Sequence, residues 1–158
     1  MFCEAFNRLS AFGRVDSYRY IGLGSIFFSD FSLFHKSLNF KNNINIEQHH
    51  GDIERFKLNR PYNCIDLKFG ESNDILPTLD WDVKTIVWLD YDSPLSDSIL
   101  ADILFVCTHL QPGSLLIVTV DAEPDPVEYR VQLLRKRVDY KKTPIRLFEE
   151  SLAGWNTA

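Results

Sequence analysis

The chain has 158 residues and a net charge of −5, and its residues are 45% hydrophobic and 25% charged. This is the composition of an ordinary globular protein, and the length predicts a single domain over residues 1–158. No apolar run approaches the ~18 residues that a membrane-spanning helix needs, and the acidic balance is untypical of a general nucleic-acid-binding protein.

The first half of the chain predicts helices and strands in alternation. Apolar residues recur at helical spacing over residues 2–12, which predicts an N-terminal helix. The segments "SYRYI" (17–21), "NINIE" (43–47) and "YNCIDLKF" (62–69) predict the first three strands. Between the first two, an apolar stripe predicts one buried face of a second helix. That stripe consists of Phe27, Phe31, Phe34 and Leu38.

The second half continues the alternation. The segment "VKTIVWLDY" (83–91) predicts a fourth strand that is covered on both faces. Ser93 is predicted to cap the next helix, with Pro94 at its first position. The segment "SLLIVTV" (114–120) predicts a fifth strand, and a last helix is expected to run to residue 138. Strands that alternate with helices predict an α/β three-layer sandwich with a mainly parallel sheet.

Two glycines follow the first strand in "IGLGS" (21–25). In an open parallel sheet, ligands bind beyond the carboxyl ends of the strands, which makes this turn a candidate binding loop. Phe27 replaces the third glycine of the dinucleotide pattern, and its ring is expected to obstruct a pyrophosphate. Glu47 ends the second strand, where it is either an exposed strand-end residue or an acceptor for both ribose hydroxyls. The second interpretation favours a nucleoside ligand.

These motifs resemble those of class I S-adenosylmethionine-dependent methyltransferases, over roughly residues 18–123. "YIGLGS" is similar to the first motif of that family, "INIE" to the second, and "FGESNDILPTL" to the stretch after strand three in small O-methyltransferases. The resemblance implies a Rossmann-like fold with strand order 3-2-1-4-5 and S-adenosylmethionine as cofactor. The cofactor-binding residues that it implies are Gly22, Gly24, Ser25 and Glu47, with Glu71 or Ser72 near the adenine.

"VWLDYDSP" and "GSLLIVTVDA" resemble the family's segments around strands four and five. The resemblance implies that the methyl acceptor, which the sequence does not identify, approaches over Asp90 and Asp92. One of these carboxylates would orient the acceptor or remove its proton. Metal-dependent members bind a divalent cation at the positions of Asp90 and Asp121. Because the partner asparagine is Ala122 here, we expect no metal, with this pair as a weak candidate.

Two departures from the family pattern leave other functions open. The acid that usually stands two residues before the first glycine is Tyr20, for which Asp30 or Asp90 is a candidate substitute. The closing antiparallel hairpin is not evident after residue 143, so we expect it to be missing or incomplete, in a truncated or degenerate member. A non-catalytic interaction module that uses the basic segment 130–146 is therefore an alternative. An NAD(P)-binding oxidoreductase domain ranks lower.

Two further expectations concern location and assembly. Cys3, Cys64 and Cys107 form no CxxC pair and predict reduced thiols in a cytoplasmic protein. The fifth predicted strand is apolar and uncharged until Asp121. Because an exposed strand of this kind invites pairing with another chain, we expect self-association through its edge.

Overall fold

Five parallel strands form the sheet in the computed structural model, which describes residues 2–48, 51, 53–123, 126–130, 132 and 133. The strands are β1 (Arg19–Leu23), β2 (Asn42–Glu47), β3 (Ile65–Phe69), β4 (Thr85–Asp90) and β5 (Leu115–Thr119). They lie in the order β3-β2-β1-β4-β5, and each neighbouring pair is parallel. The predicted order 3-2-1-4-5 is confirmed.

The helices that flank this sheet are α1 (Phe2–Asn7), α2 (Ser29–Leu38), α3 (Ile53–Asn59), α4 (Ser72–Ile75) and α5 (Asp97–His109). The sequence did not predict α3 and α4, which have seven and four residues. Helical periodicity needs a window of about 11 residues to be read, so elements this short give no clear pattern. Within the described ranges, no helix is long and apolar enough to cross a membrane.

The two faces of the sheet carry two different cores. On one face, aromatic side chains of α1, α2 and α3 form one cluster with Tyr20, whose ring centroid lies 4.9 Å from that of Phe31 and 5.0 Å from that of Phe34. On the other face, aliphatic side chains such as Ile21 and Val87 pack with Val106 of α5. Alternating side chains along each strand therefore serve opposite layers, which is the predicted three-layer sandwich.

The aromatic stripe of α2 begins later than predicted. Phe31, Phe34 and Leu38 are buried, but Phe27 precedes the helix and is 78% exposed. The chain turns at Phe28, which is buried with a left-handed φ of 48°, and this turn directs the preceding side chain towards solvent. Phe27 therefore lies outside the buried stripe in which it was predicted, and obstruction of a pyrophosphate by its ring stays a prediction.

The start of α5 also differs from the prediction. The helix begins at Asp97, and its N-cap is Ser96, whose Oγ accepts a hydrogen bond from the Ile99 backbone N–H at 3.4 Å. Ser93 lies before the helix, and its backbone carbonyl accepts a hydrogen bond from the backbone N–H of Asp121 at 3.1 Å. The chain thus runs along the ends of β4 and β5 before it turns into the helix.

Ser96→Ala should lower the free energy of unfolding by about 1 kcal/mol, because the substitution removes the hydroxyl that satisfies a free helix N–H. Ser93→Ala is the matched control, and its exposed side chain predicts an effect within about 0.5 kcal/mol. Denaturant unfolding of both variants measures the difference. A larger loss in Ser93→Ala than in Ser96→Ala would contradict the observed cap.

Several expectations fall on other parts of the chain. Most of the predicted last helix, most of the basic segment 130–146 and the position of the closing hairpin lie outside the described residues. The strand β5 is the last in the order of the described sheet, and self-association through its edge stays a prediction. The three cysteines are free thiols, as predicted.

Candidate functional site

A crevice lies beyond the carboxyl ends of the strands, where the chain reverses its direction of winding between β1 and β4. It consists of two adjoining cavities of about 370 Å³ and 420 Å³, which share Leu23, Gly24, Asp90 and Asp92. The first cavity extends over the ends of β2 and β3 to α4. The second extends to the start of α2. This is the place in an open α/β sheet where ligands bind.

The predicted site residues divide between these cavities. Those that line the first cavity are Gly24, Glu47, Glu71, Ser72, Asp90 and Asp92. Ser25 lines the second cavity together with Gly24, Asp90 and Asp92. Two predicted residues line neither: Gly22 pairs with Asn45 and Trp88 inside the sheet, and Asp121 lies after β5.

A close approach between Gly24 and Glu47 forms the floor of the crevice. The Gly24 backbone N–H donates to the Ile46 carbonyl oxygen at 2.6 Å. A Cβ at Gly24 would lie 3.0 Å from that oxygen and closer still to Oε2 of Glu47, whose side chain belongs to a residue only 6% exposed. Only glycine leaves room for the carboxylate at this position.

Tyr20 and Asp30 form a second polar pair beside the turn. The Tyr20 hydroxyl donates to Oδ2 of Asp30 at 2.5 Å, and both residues line the second cavity. Burial raises the pKa of Asp30, and the charge of Asp90 raises it further, while the hydrogen bond from Tyr20 lowers it. Burial also raises the pKa of Tyr20 well above its ordinary value, so its hydroxyl remains the donor. Asp30 thus brings a carboxylate next to Tyr20 in the lining of the second cavity.

Asp102 of α5 holds in place the part of the first cavity that Ser72, Asn73 and Tyr91 line. Its buried carboxylate accepts hydrogen bonds from the hydroxyl of Ser72, from Nδ2 of Asn73 at 2.5 Å and from the hydroxyl of Tyr91 at 2.6 Å. Burial, with a smaller contribution from the Asp102 hydrogen bond, raises the pKa of Tyr91 and keeps its hydroxyl protonated. One side chain of α5 therefore holds both α4 and the segment after β4.

The carboxylates after β4 and β5 do not form an evident metal site. Asp90 accepts a hydrogen bond from the Thr119 hydroxyl, and Oδ1 of Asp121 accepts one from the backbone N–H of Glu123 at 2.8 Å. In the part of the chain that the structure describes, no group of three His, Cys, Asp or Glu side chains is placed to hold a metal ion. Asp90 and Asp121 together offer only two candidate ligands.

The charge of the crevice has one sign. Among the described residues that line the two cavities, the charged side chains are all carboxylates, and none is Lys, Arg or His. These carboxylates belong to Asp30, Glu47, Glu71, Asp90 and Asp92. Such a lining attracts a cation and repels an anion.

Sequence reasoning missed the polar residues that support this lining. Asp102 interrupts the apolar stripe of α5, which is a signal that the residue has a partner in the interior. Asn43 and Asn45 alternate with Ile44 and Ile46 along β2, which indicates polar side chains on one face of a buried strand. The partners of Asp102 lie 11, 29 and 30 positions away in sequence, so the pattern alone does not identify them.

Comparisons with known proteins agree with the fold. A family model described as "Putative O-methyltransferase" matches residues 1–158. One similar solved structure is S-adenosylmethionine-bound CalS10, an amino pentose methyltransferase from Micromonospora echinaspora involved in calicheamicin biosynthesis. Its TM-score is 0.55 and its identity 18%, over 77% of this chain and 50% of that chain. At this identity the likeness shows the fold alone.

A second similar structure is PKMT2 from Rickettsia typhi, with a TM-score of 0.51 and 14% identity over 90% of this chain and 32% of that chain. The chain thus spans half of the length of the first solved structure and about a third of the second. No curated protein matches the sequence significantly.

Proposed function

We propose, from the premise that this chain belongs to the O-methyltransferase family whose model matches its whole length, that the crevice binds S-adenosylmethionine for methyl transfer to an acceptor. The observation that carries the proposal is the contact between Gly24 and Glu47 at the crevice floor. A turn without a side chain next to a carboxylate suits a nucleoside whose ribose hydroxyls donate to that carboxylate.

The charge of the lining supports the same ligand. S-adenosylmethionine carries a positive sulfonium and a positive ammonium group, whereas NAD(P) carries a negative pyrophosphate. Five carboxylates and no described basic side chain line the crevice, so the cationic cofactor is favoured and the dinucleotide is disfavoured. This argument is independent of the one that rested on the ring of Phe27.

Asp30, held by the hydroxyl of Tyr20, supplies the negative group for the methionine part of the cofactor. The usual acid of the first motif would stand at Tyr20, and here the tyrosine hydroxyl donates to Asp30 instead. Both residues line the second cavity. We assign the cofactor ammonium to Asp30, because a hydrogen-bonded carboxylate has a second oxygen with which to accept from a cation.

Glu71 and Ser72 belong to the adenine end of the proposed site. Glu71 lies at the N-cap position of α4 and accepts a hydrogen bond from Nε2 of Gln48 at 2.7 Å. The Ser72 hydroxyl already donates to Asp102. Ser72 therefore forms part of the cavity wall, and Asp102 holds it in position. Both residues line the first cavity, next to Glu47.

When bound, S-adenosylmethionine supplies a methyl group activated by a sulfonium. The residues of the chain then contribute mainly proximity and alignment. Asp90 and Asp92 line both cavities, next to the proposed ribose end and the proposed methionine end of the cofactor, which supports a role near the methyl group. Asp90 is held by Thr119, and either carboxylate is a candidate to orient an acceptor hydroxyl or amine or to accept its proton. The proposal includes no metal ion.

Calorimetric titration of the purified chain with S-adenosylmethionine, S-adenosylhomocysteine and NAD tests this proposal. We expect the first two ligands to bind and NAD to give no measurable heat of binding. Preferential binding of NAD would favour the oxidoreductase domain, and binding of none of the three would favour the interaction module. Transfer of a labelled methyl group to candidate hydroxyl and amine acceptors then identifies the substrate class.

A further inference from the structure

Asn45 is a buried polar residue whose side-chain amide contributes no hydrogen bond to the described fold. It lies in the middle of β2 and is 0% exposed. Neither Nδ2 nor Oδ1 has a hydrogen-bond partner among the described residues. Because buried amide groups are nearly always paired, an unpaired one in the centre of a sheet requires an explanation.

The position of Asn45 relates it to the crevice. In the sheet, Asn45 pairs with Gly22 on one side and with Leu67 on the other. Its side chain lies on the same face of β2 as that of Glu47, two residues further along the strand. A Cβ at Gly24 would lie 3.2 Å from Nδ2 of Asn45 and would also meet Oε2 of Glu47. The amide therefore lies directly beneath the contact between the turn and the carboxylate.

An apolar residue would suit this position better if stability alone mattered. A leucine has nearly the shape of asparagine, and replacing an unpaired buried amide by an apolar group removes the penalty of its lost hydration. The neighbouring face is already aromatic and aliphatic, with Leu67 packed against the same core. Asn45 thus lowers the stability of the fold, and a role in binding can explain why it is present.

We propose that Asn45 is a positioning residue for the ribose end of the crevice, an inference that rests on the proposed function. Its Nδ2 donates to the Glu47 carboxylate when ribose hydroxyls draw that carboxylate into its binding position. The hydrogen bond from below leaves the outer lone pairs of Glu47 directed at the ligand. Asn45 itself is covered by the turn and does not touch the cofactor.

Asn45→Leu tests this inference by two readouts that move in opposite directions. We expect the Tm of the ligand-free protein to stay equal or rise, because an unpaired buried amide is removed. We expect the Kd for S-adenosylmethionine to increase about tenfold, the lower end of the loss of one hydrogen bond to a charged group. The preference for adenosine over 2′,3′-dideoxyadenosine, which lacks the ribose hydroxyls, should fall by a similar factor.

Asn43→Leu is the matched control on the same strand and the same face. Asn43 is 1% exposed, but its Nδ2 donates to the carbonyl oxygens of Phe40 at 3.2 Å and Cys64 at 3.4 Å, away from the crevice. This variant should therefore have a lower Tm and unchanged ligand affinities. A second variant, Asn45→Asp, places a carboxyl beneath Glu47 in place of the donor and should also weaken S-adenosylmethionine binding.

The outcomes separate the inference from the proposed function. Wild-type binding of S-adenosylmethionine together with unchanged affinity and unchanged ribose preference in both Asn45 variants would overturn the inference alone. A Tm of Asn45→Leu as low as that of Asn43→Leu would assign Asn45 to the fold and likewise overturn it. If the wild type binds neither S-adenosylmethionine nor adenosine, the proposed function fails and the inference fails with it.

Discussion

Glu47→Ala is expected to weaken S-adenosylmethionine binding by about 1.5–3 kcal/mol, which is roughly a 10- to 150-fold increase in Kd. The reason is the loss of a charged acceptor for both ribose hydroxyls at the end of β2. Calorimetric titration of the variant measures the change. Glu47→Gln removes the charge and keeps the size of the side chain. A smaller loss of affinity in this variant than in Glu47→Ala would therefore separate the contribution of the charge from that of the shape.

Glu54→Ala is the control for this experiment. Glu54 lies in α3, forms an exposed ion pair with Lys57 at 2.8 Å and lines neither cavity. Its removal should leave the Kd unchanged, since exposed ion pairs contribute little to stability. An unchanged Kd in Glu47→Ala would instead return Glu47 to the role of a strand-end residue and would remove the main support for a ribose site.

Asp30→Asn is expected to weaken S-adenosylmethionine binding by about 1.5–3 kcal/mol, because it removes the carboxylate to which we assign the ammonium group. The loss should be specific to ligands with the amino-acid part. The Kd for 5′-methylthioadenosine, which has the nucleoside and no amino acid, should stay the same. Equal weakening of both ligands would mean that Asp30 acts through the shape of the turn. Asp16→Asn, which breaks an exposed pair with Arg14, is the control.

The pH dependence gives a second readout for Asp30. Burial raises the pKa of its carboxyl from the ordinary 3.8, and Asp90 raises it further, so protonation starts at a higher pH than for an exposed aspartate. Because the cofactor cation favours the ionised form, affinity should fall as the pH drops through this raised pKa. Asp30→Asn should show a flatter profile over the same range, which titrations at several pH values can measure.

The raised pKa of Asp30 affects the stability of the ligand-free protein in the opposite direction to the affinity for the cofactor. A folded-state pKa above the unfolded value contributes stability that is fully present below the unfolded pKa and lost as the pH rises through the folded pKa. Asp30→Asn should therefore make the ligand-free protein less sensitive to rising pH in this range.

The parallel sheet and the place of Glu47 could be predicted because both depend on local patterns, whereas the strand order 3-2-1-4-5 was implied by the resemblance to class I methyltransferases. Continuous apolar runs indicate strands covered on both faces, and alternation with helices indicates parallel pairing. A residue that ends the second strand must then lie at the same edge of the sheet as the turn after β1. The position of Glu47 at the crevice follows from this topology.

Other features depend on backbone conformation and on long-range contacts, which a sequence pattern does not reveal. Phe27 and Phe28 are neighbours with similar side chains, and only the left-handed φ of the second decides which ring is buried. Ser93 and Ser96 are both plausible caps in sequence, and the contact of Ser93 with Asp121 decides between them. The network of Asp102 joins residues about 30 positions apart, which no local rule connects.

The crowding at the crevice floor has a consequence for the substitutions that homologous sequences can accept. A side chain at position 24 and a long carboxylate at position 47 compete for the same space, since a Cβ on the first would overlap Oε2 of the second. A shorter residue at 47 would relieve that clash but would forfeit the acceptor for the ribose. The constraint therefore runs in one direction: homologues that keep a carboxylate of this length at position 47 should keep glycine at position 24, whereas glycine at position 24 is compatible with a shorter residue at position 47.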